Sequence, residues 1–227
     1  MKITFLGHAT IHLEIGDSKI IIDPFISGNE LASHIDVNTI AVDYILLTHG
    51  HQDHVLDVET IAKNNPDALL ISNYEIVQWF AEKGINGHPM NHGGKHRLEF
   101  GTLKYVNAIH SSVLPDGTYG GNPGGFVINT SSKNIYIAGD TALTMDMKLV
   151  PLGSPPLDMC ILPIGDNFTM GYEDAAIASD FVQCNTVMGC HYDTFPPITL
   201  DMEAAVSHFK SKGKELLLLE IGESIDL

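Results

Sequence analysis

Basic residues are scarce in this chain of 227: 12 Lys and Arg stand against 28 Asp and Glu, a formal charge of −16. Nucleic-acid binding draws most of its affinity from cation–phosphate contacts, and an anionic membrane is recognised in the same way, so neither is an expected partner. Cysteine is rare as well. Cys160, Cys184 and Cys190 make an odd count with no CxxC spacing. That argues against a disulfide framework and a zinc ribbon, and leaves three reduced, buried thiols as the expectation. Cys190 stands beside His191. No run of about 18 apolar residues exists to span a bilayer, and His8, His12 and Glu14 interrupt the N-terminal MKITFLGHATIHLEI before a signal-peptide core forms. The expectation is a soluble, cytoplasmic protein. Low-complexity linkers and fixed-period repeats are also missing, and with 44% hydrophobic residues the chain can bury a substantial core. A single domain over residues 1–227 is expected.

What is present is an orderly alternation. ITFL, TIHLEI and KIIID are short β-branched runs broken by Gly7 and by the turn at Gly16, Asp17 and Ser18, the pattern of a strand meander. After YILLTH at 44–49 come a helical VETIAKNN, a strand LLIS at 69–72 and a helix YEIVQWFAEKG that Gly84 stops. A second β-rich section follows, RLEFGTLKYVNAIH and GFVINTSSKNIYIAGD, with turn residues Ser131 to Asn134 between two apolar strands. Then DMCILPIG, YEDAAIASDFVQC, TVMGCHY, LDMEAAVSHFKSKG and KELLLLEI read as strand, helix, strand, helix ended by Gly213, and last strand. Two successive halves, each a meander followed by helix–strand alternation, predict two sheets packed face to face with helices outside, a four-layer αββα sandwich of the α/β class. HGGKH at 92–96 and PDGTYGGNPGG at 115–125 are expected to be surface loops, the second long enough to act as a lid. His88, His92 and His96 fall four apart, but Pro89, Gly93 and Gly94 forbid a regular helix, so all three are placed in a loop.

The densest chemistry lies in YILLTHGHQDH, where His49, His51, Asp53 and His54 follow an apolar run within six positions. Imidazoles and carboxylates are the ligand set of zinc, manganese and iron hydrolases, and a metal needs several of them converging from a rigid base. In an extended or tightly turning segment His49 and His51 can point to one side while Asp53 and His54 turn towards a neighbouring position, so one loop can serve two ions. Four ligands do not fill two sites. Three more are on offer, each after a β-patterned run: His110 in NAIHS, Asp140 in YIAGDT and His191 in VMGCHYD.

With HxHxDH followed in order by a His, an Asp and a final His, the chain resembles the metallo-β-lactamase superfamily. LGHAT at 6–10, DPF at 23–25, IHSS at 109–112, AGDT at 138–141 and LPIGDNFTMG at 162–171 look like its branch of metal-dependent hydrolases related to L-ascorbate-6-phosphate lactonase. The resemblance implies that His49, His51 and His110 hold one metal, that Asp53, His54 and His191 hold the other, and that Asp140 bridges them. It also puts His8 near the pocket, as a proton donor or a substrate contact; a purely structural histidine is the alternative. Asp23, ending KIIID, either orients the HxHxDH loop or only starts the turn at Pro24.

Two divalent ions about 3.5 to 4 Å apart lower the pKa of a shared water, so that a bridging hydroxide attacks an acyl or phosphoryl centre. With two carboxylates and one hydroxide the net local charge is about +1, which attracts an anionic substrate inside an acidic protein. The expected function is therefore hydrolysis of a small, anionic ester, lactone or phosphodiester, with Asp53 and His8 as the catalytic candidates. Zinc is the first expectation for both ions, with manganese, iron or nickel accepted by the same ligands. The competing reading is a di-metal redox or metal-binding protein on the same fold. A nuclease would need the basic surface this chain lacks. A homo-oligomer is left open.

Overall fold

The alternation in the sequence becomes two seven-stranded sheets in the computed structural model, which describes residues 1–227. The first sheet begins as the expected antiparallel meander, β1 (Lys2–Phe5), β2 (Ile11–Ile15) and β3 (Ser18–Ile22). It continues through β4 (Tyr44–Leu46), α1 (Gln52–Val55), α2 (Val58–Asn64), β5 (Leu69–Asn73), α3 (Tyr74–Ala81) and β6 (Gly87–Met90), with β3 to β6 parallel. The second sheet repeats the plan. Strands β7 (Lys95–Leu98), β8 (Gly101–Asn107), β9 (Gly124–Asn129) and β10 (Asn134–Ile137) are antiparallel. After α4 (Val150–Gly153), the strands β11 (Met159–Pro163), β12 (Thr186–Cys190) and β13 (Glu215–Leu217) run parallel to β10, with α5 (Tyr172–Phe181) and α6 (Met202–Ser211) between them. The chain ends on β14 (Ser224–Asp226), which crosses back to pair with β1 in the first sheet.

Period-two alternation decides the layers. Ile20 and Ile22 of β3 face the second sheet and meet a core that includes Leu103, Phe126, Ile128 and Ile161, while Ile21 between them faces outwards against the helices. That is why KIIID reads as a continuous apolar run: the strand is covered on both faces. Val58, Ile61, Ile76 and Phe80 cover the outside of the first sheet, and Ala175, Ala178, Ala205 and Phe209 cover the outside of the second. The expected αββα sandwich is what forms. Truncating a between-sheet residue such as Phe126 to Ala costs about 3 to 5 kcal/mol in a core this closely filled.

Three expectations need correction. His88 lies in β6 and His96 in β7, not in a loop, and their rings stack with centroids 3.8 Å apart across the edges of the two sheets. Only His92 is in the connection. Pro89 is tolerated in β6 because that strand is an edge, with just one neighbour to bond. KELLLLEI is not one strand: the ladder stops at Leu217, and Leu218 to Ile221 leave it to fill the gap between layers on the way to β14. The glycine-rich segment after His110 is not a free flap. Val113 bridges Tyr119, Leu114 is buried, Asn73 Nδ2 donates to Gly120 O at 2.7 Å, and Trp79 Nε1 donates to Asp116 Oδ2 at 2.8 Å. It is a pinned hairpin. All three cysteines are free and buried, and Cys190 packs into the between-sheet core, away from its neighbour's imidazole.

Candidate metal centre

The seven residues expected to ligate metal follow strand C-terminal ends, six of them after the parallel-paired β4, β10 and β12 and His110 after the antiparallel β8. After β4 the backbone runs through Thr48 and His49 to His51, which precedes the single turn of α1 that carries Asp53 and His54. Of the extended or tightly turning alternatives the sequence left open, the tight turn is the one found, with Asp53 and His54 on a single helical turn after His51. His110 follows β8, Asp140 follows β10 and His191 follows β12. The residues assemble into two groups in which the ligand atoms lie within 4.8 Å of one another: His49, His51 and His110, and then Asp53, His54 and His191 with His8.

Asp140 stands between the groups. Its Oδ2 lies 3.0 Å from His191 Nε2, 3.4 Å from His54 Nε2, 3.5 Å from His110 Nε2 and 3.9 Å from His49 Nε2. One oxygen thus faces both groups. None of these contacts satisfies His54 Nε2, Asp140 Oδ1 or either nitrogen of His191, all buried without a hydrogen-bond partner. Buried polar atoms left this way are costly, about 1 to 3 kcal/mol each, unless a cation completes them.

Asp23, left in the sequence between an orienting and a turn-forming role, does orient the loop. It is buried, takes the Thr48 hydroxyl proton on Oδ2 at 2.6 Å and the Thr48 N–H on Oδ1 at 2.8 Å, and meets His54 Nδ1 at 2.9 Å. Because the single Thr48 proton goes to Asp23, His49 Nδ1–H donates to Thr48 Oγ1 at 3.0 Å, and His49 Nε2 carries a bare lone pair. His54 Nδ1–H likewise donates to Asp23, which leaves its Nε2 facing Asp140. His51 Nε2 is engaged by Ser111 Oγ at 3.2 Å, so its Nδ1 faces His49 Nε2 at 3.0 Å. A shared proton would satisfy those two nitrogens but not His110 as well; a metal ion serves all three. The donor set therefore fits metal binding, with outer partners of the kind that aim imidazoles at metals.

The electrostatics set the two buried imidazoles apart. Burial holds the His49 imidazole well below its ordinary range, so it stays an acceptor. Burial pulls His54 down too, but the Asp140 and Asp23 carboxylates outweigh it and hold that imidazole well above its ordinary range. Burial would raise Asp140; His191 and His54 reverse this and keep it ionised. His8 is buried against Phe25 and Phe195, with Nε2 3.1 Å from Asp53 Oδ2 and Nδ1 2.9 Å from Thr194 Oγ1. Burial pushes His8 down to about 4, offset only in part by Asp53. His8, Asp23 and His191 all adopt left-handed backbone, at φ 55, 47 and 57°. Such angles cost non-glycine residues about 1 kcal/mol or more and persist where surrounding contacts enforce them, as the 2.7 Å bond from His191 N–H to His8 O does here.

Sequence reasoning missed Thr48, Ser111 and Thr194. Each is a hydroxyl beside a ligand or near one in sequence, and only IHSS carried a signal.

A family model described as a beta-lactamase superfamily domain matches residues 2–191. The chain belongs to the metallo-β-lactamase superfamily. Within it, a chain from Flavobacterium johnsoniae named a UPF0173 metal-dependent hydrolase is 63% identical over 227 residues, with all of both chains covered. One of that name from Thermus thermophilus is 44% identical over 227 residues, covering 100% of this chain and 99% of the other. Among solved structures, Igni18, a metallo hydrolase from the hyperthermophilic archaeon Ignicoccus hospitalis, matches with a TM-score of 0.88 and 31% identity, covering 99% of this chain and 97% of that one. This chain therefore stands among the metal-dependent hydrolases of the superfamily. No helix is long and apolar enough to cross a membrane.

Proposed function

We propose that the protein is a binuclear metal-dependent hydrolase acting on a small ester, lactone or phosphodiester. His49, His51 and His110 would hold one ion, Asp53, His54 and His191 the other, and Asp140 would touch both. The observation that carries this reading is the set of buried, unpartnered atoms on His54, His191 and Asp140 converging where His49, His51 and His110 also point. When bound, two divalent ions supply a water acidic enough to ionise near neutral pH and polarise the acyl or phosphoryl oxygen.

The chain's own groups then handle the proton. The Asp53 side chain is 29% exposed, whereas that of Asp140 is 3% exposed. Asp53 is thus the carboxylate able to meet both water and substrate. It takes a proton from the attacking water and returns it to the leaving oxygen, so that one bond to the acyl or phosphoryl centre forms, one breaks, and the proton count balances. His8, at 3.1 Å from Asp53 Oδ2 and anchored by Thr194, holds that carboxylate in place and shares its proton traffic. Burial of His8 favours this indirect role over the direct substrate contact expected from sequence.

The test is elemental analysis after metal-replete expression, followed by chelation, refilling with Zn²⁺, Mn²⁺, Fe²⁺ or Ni²⁺, and a panel of lactones, phosphodiesters, thioesters and β-lactams. Two ions per chain and metal-dependent turnover of one class are expected. Saturation at one ion in excess metal would sink the binuclear reading.

A further inference from the structure

We propose that the substrate is an uncharged acyl compound, an ester or lactone with an apolar arm, and that Phe168 and Ile109 select it. This rests on the hydrolytic reading above. The segments that surround the ligands at this end of the strands are residues 6–10, 23–29, 48–57, 108–123, 138–147, 164–171 and 191–199, and none of the 12 Lys and Arg falls in them. The cations are elsewhere. Lys2 and Lys19 start β1 and β3, Lys63 lies in the last turn of α2 and Lys133 in the β9–β10 turn, all at the opposite pole; Lys83 lies 4.0 Å over the Trp79 ring and pairs with Glu59 at 2.6 Å. Lys148 lies 4.4 Å over the Phe181 ring, on the outer helical layer.

Phosphate and carboxylate groups are recognised by guanidinium forks, ammonium groups and helix N-termini. Here those segments offer an anion no Lys or Arg and instead hold Asp53, Asp116, Asp166 and Asp193, in a protein of charge −16. Repulsion from nearby carboxylates acts over about 8 Å at physiological salt, so the small positive charge of a loaded site is opposed just where an anionic tail would lie.

The same rim holds apolar side chains out in solvent. Ile109, next to His110, is 51% exposed, and Phe168 is 53% exposed. Ile109 is stapled to the residue after Asp140, its N–H donating to Thr141 Oγ1 at 3.0 Å, and Met170, two residues after Phe168, donates its N–H to Thr141 O at 3.1 Å. Asp166 and Asn167 take left-handed φ of 62 and 58° in succession, a strained turn that presents Phe168 where burial would otherwise have drawn it in. Apolar side chains held out beside the ligand-bearing loops offer an apolar contact to a bound molecule.

The experiment uses the Zn²⁺-loaded protein and matched probes. δ-Decalactone should be hydrolysed with a kcat/KM at least about tenfold above that of 6-phosphogluconolactone, the low end of what a mismatched group costs in a pocket. Calorimetry with two unreactive probes, δ-decanolactam and 6-phosphogluconate, reads selectivity without turnover; the lactam should bind more tightly. Phe168→Arg and Ile109→Arg should narrow both ratios with metal content unchanged. Preference for the phosphorylated compound in either assay, or no binding by the lactam, overturns the proposal. Lactam binding without hydrolysis of any panel compound would uphold the uncharged pocket and sink the hydrolytic reading instead.

Discussion

The two candidate ion positions share a carboxylate and differ in nearly everything else. His49, His51 and His110 form a group of imidazoles in which His51 and His110 still reach solvent, and its outer partners, Thr48 and Ser111, are chain neighbours of the ligands. Asp53, His54 and His191 form a deeper group, backed by Asp23 from the end of β3 and by His8 from the β1–β2 connection, with His8 and His191 both on left-handed backbone. The first joins two segments of the chain, around His49 and His110, whereas the second draws in the β1–β2 connection, the end of β3, α1 and the end of β12. Left-handed backbone and long-range contacts gather behind Asp53, the carboxylate proposed to move the proton, whose orientation depends on rigid support.

The comparison can be broken in four ways. Asp140 faces both groups, so Asp140→Ala should fold, lose most of one ion and lower hydrolysis by a factor of about 10³ or more. Asp140→Asn should behave alike, since the amide keeps the shape without the charge. Two tightly held ions and near wild-type rates would make the positions independent and end the bridging role.

Next in size is His8. His8→Ala should keep both ions and lose activity by a factor of about 10² to 10⁴; His8→Asn, whose side chain tolerates the left-handed backbone, separates the imidazole's role from folding. Full activity in His8→Asn would reduce His8 to a structural residue.

Asp23 and Thr48 should divide the sites. Asp23→Asn weakens metal affinity about 10- to 100-fold at both positions, directly through His54 and indirectly through Thr48, while Thr48→Val weakens the first position alone. Competition with a chelator measures this, and equal loss at both positions in Thr48→Val would contradict the hydrogen-bond pattern. The smallest effect belongs to the hairpin after His110. Trp79→Phe removes the bond to Asp116 and should shift KM without changing metal content; an unchanged KM would make the hairpin only a connector.

Much of this was legible before folding. The density of HxHxDH, and the placing of His110, Asp140 and His191 after apolar runs, named the residues that come together, because strand ends are where a sheet can aim side chains at a common point. Helices α2, α3, α5 and α6 fall where their periodicity and stop signals put them. His88 and His96 were hidden because Pro and Gly argue against helix without arguing against an edge strand. KELLLLEI was over-read because four consecutive leucines look the same whether they pair in a sheet or plug a gap between layers.

By itself the sequence determined the layers, the strand ends and the ligand types, since these follow from local periodicity and from the chemistry of individual side chains. Tertiary structure alone decided that Asp23 reaches both His54 and Thr48, that Thr194 meets His8, and that Asp140 stands between two groups. Those are relations between segments up to 186 residues apart, and no local pattern encodes which loops the packing of two sheets will bring face to face.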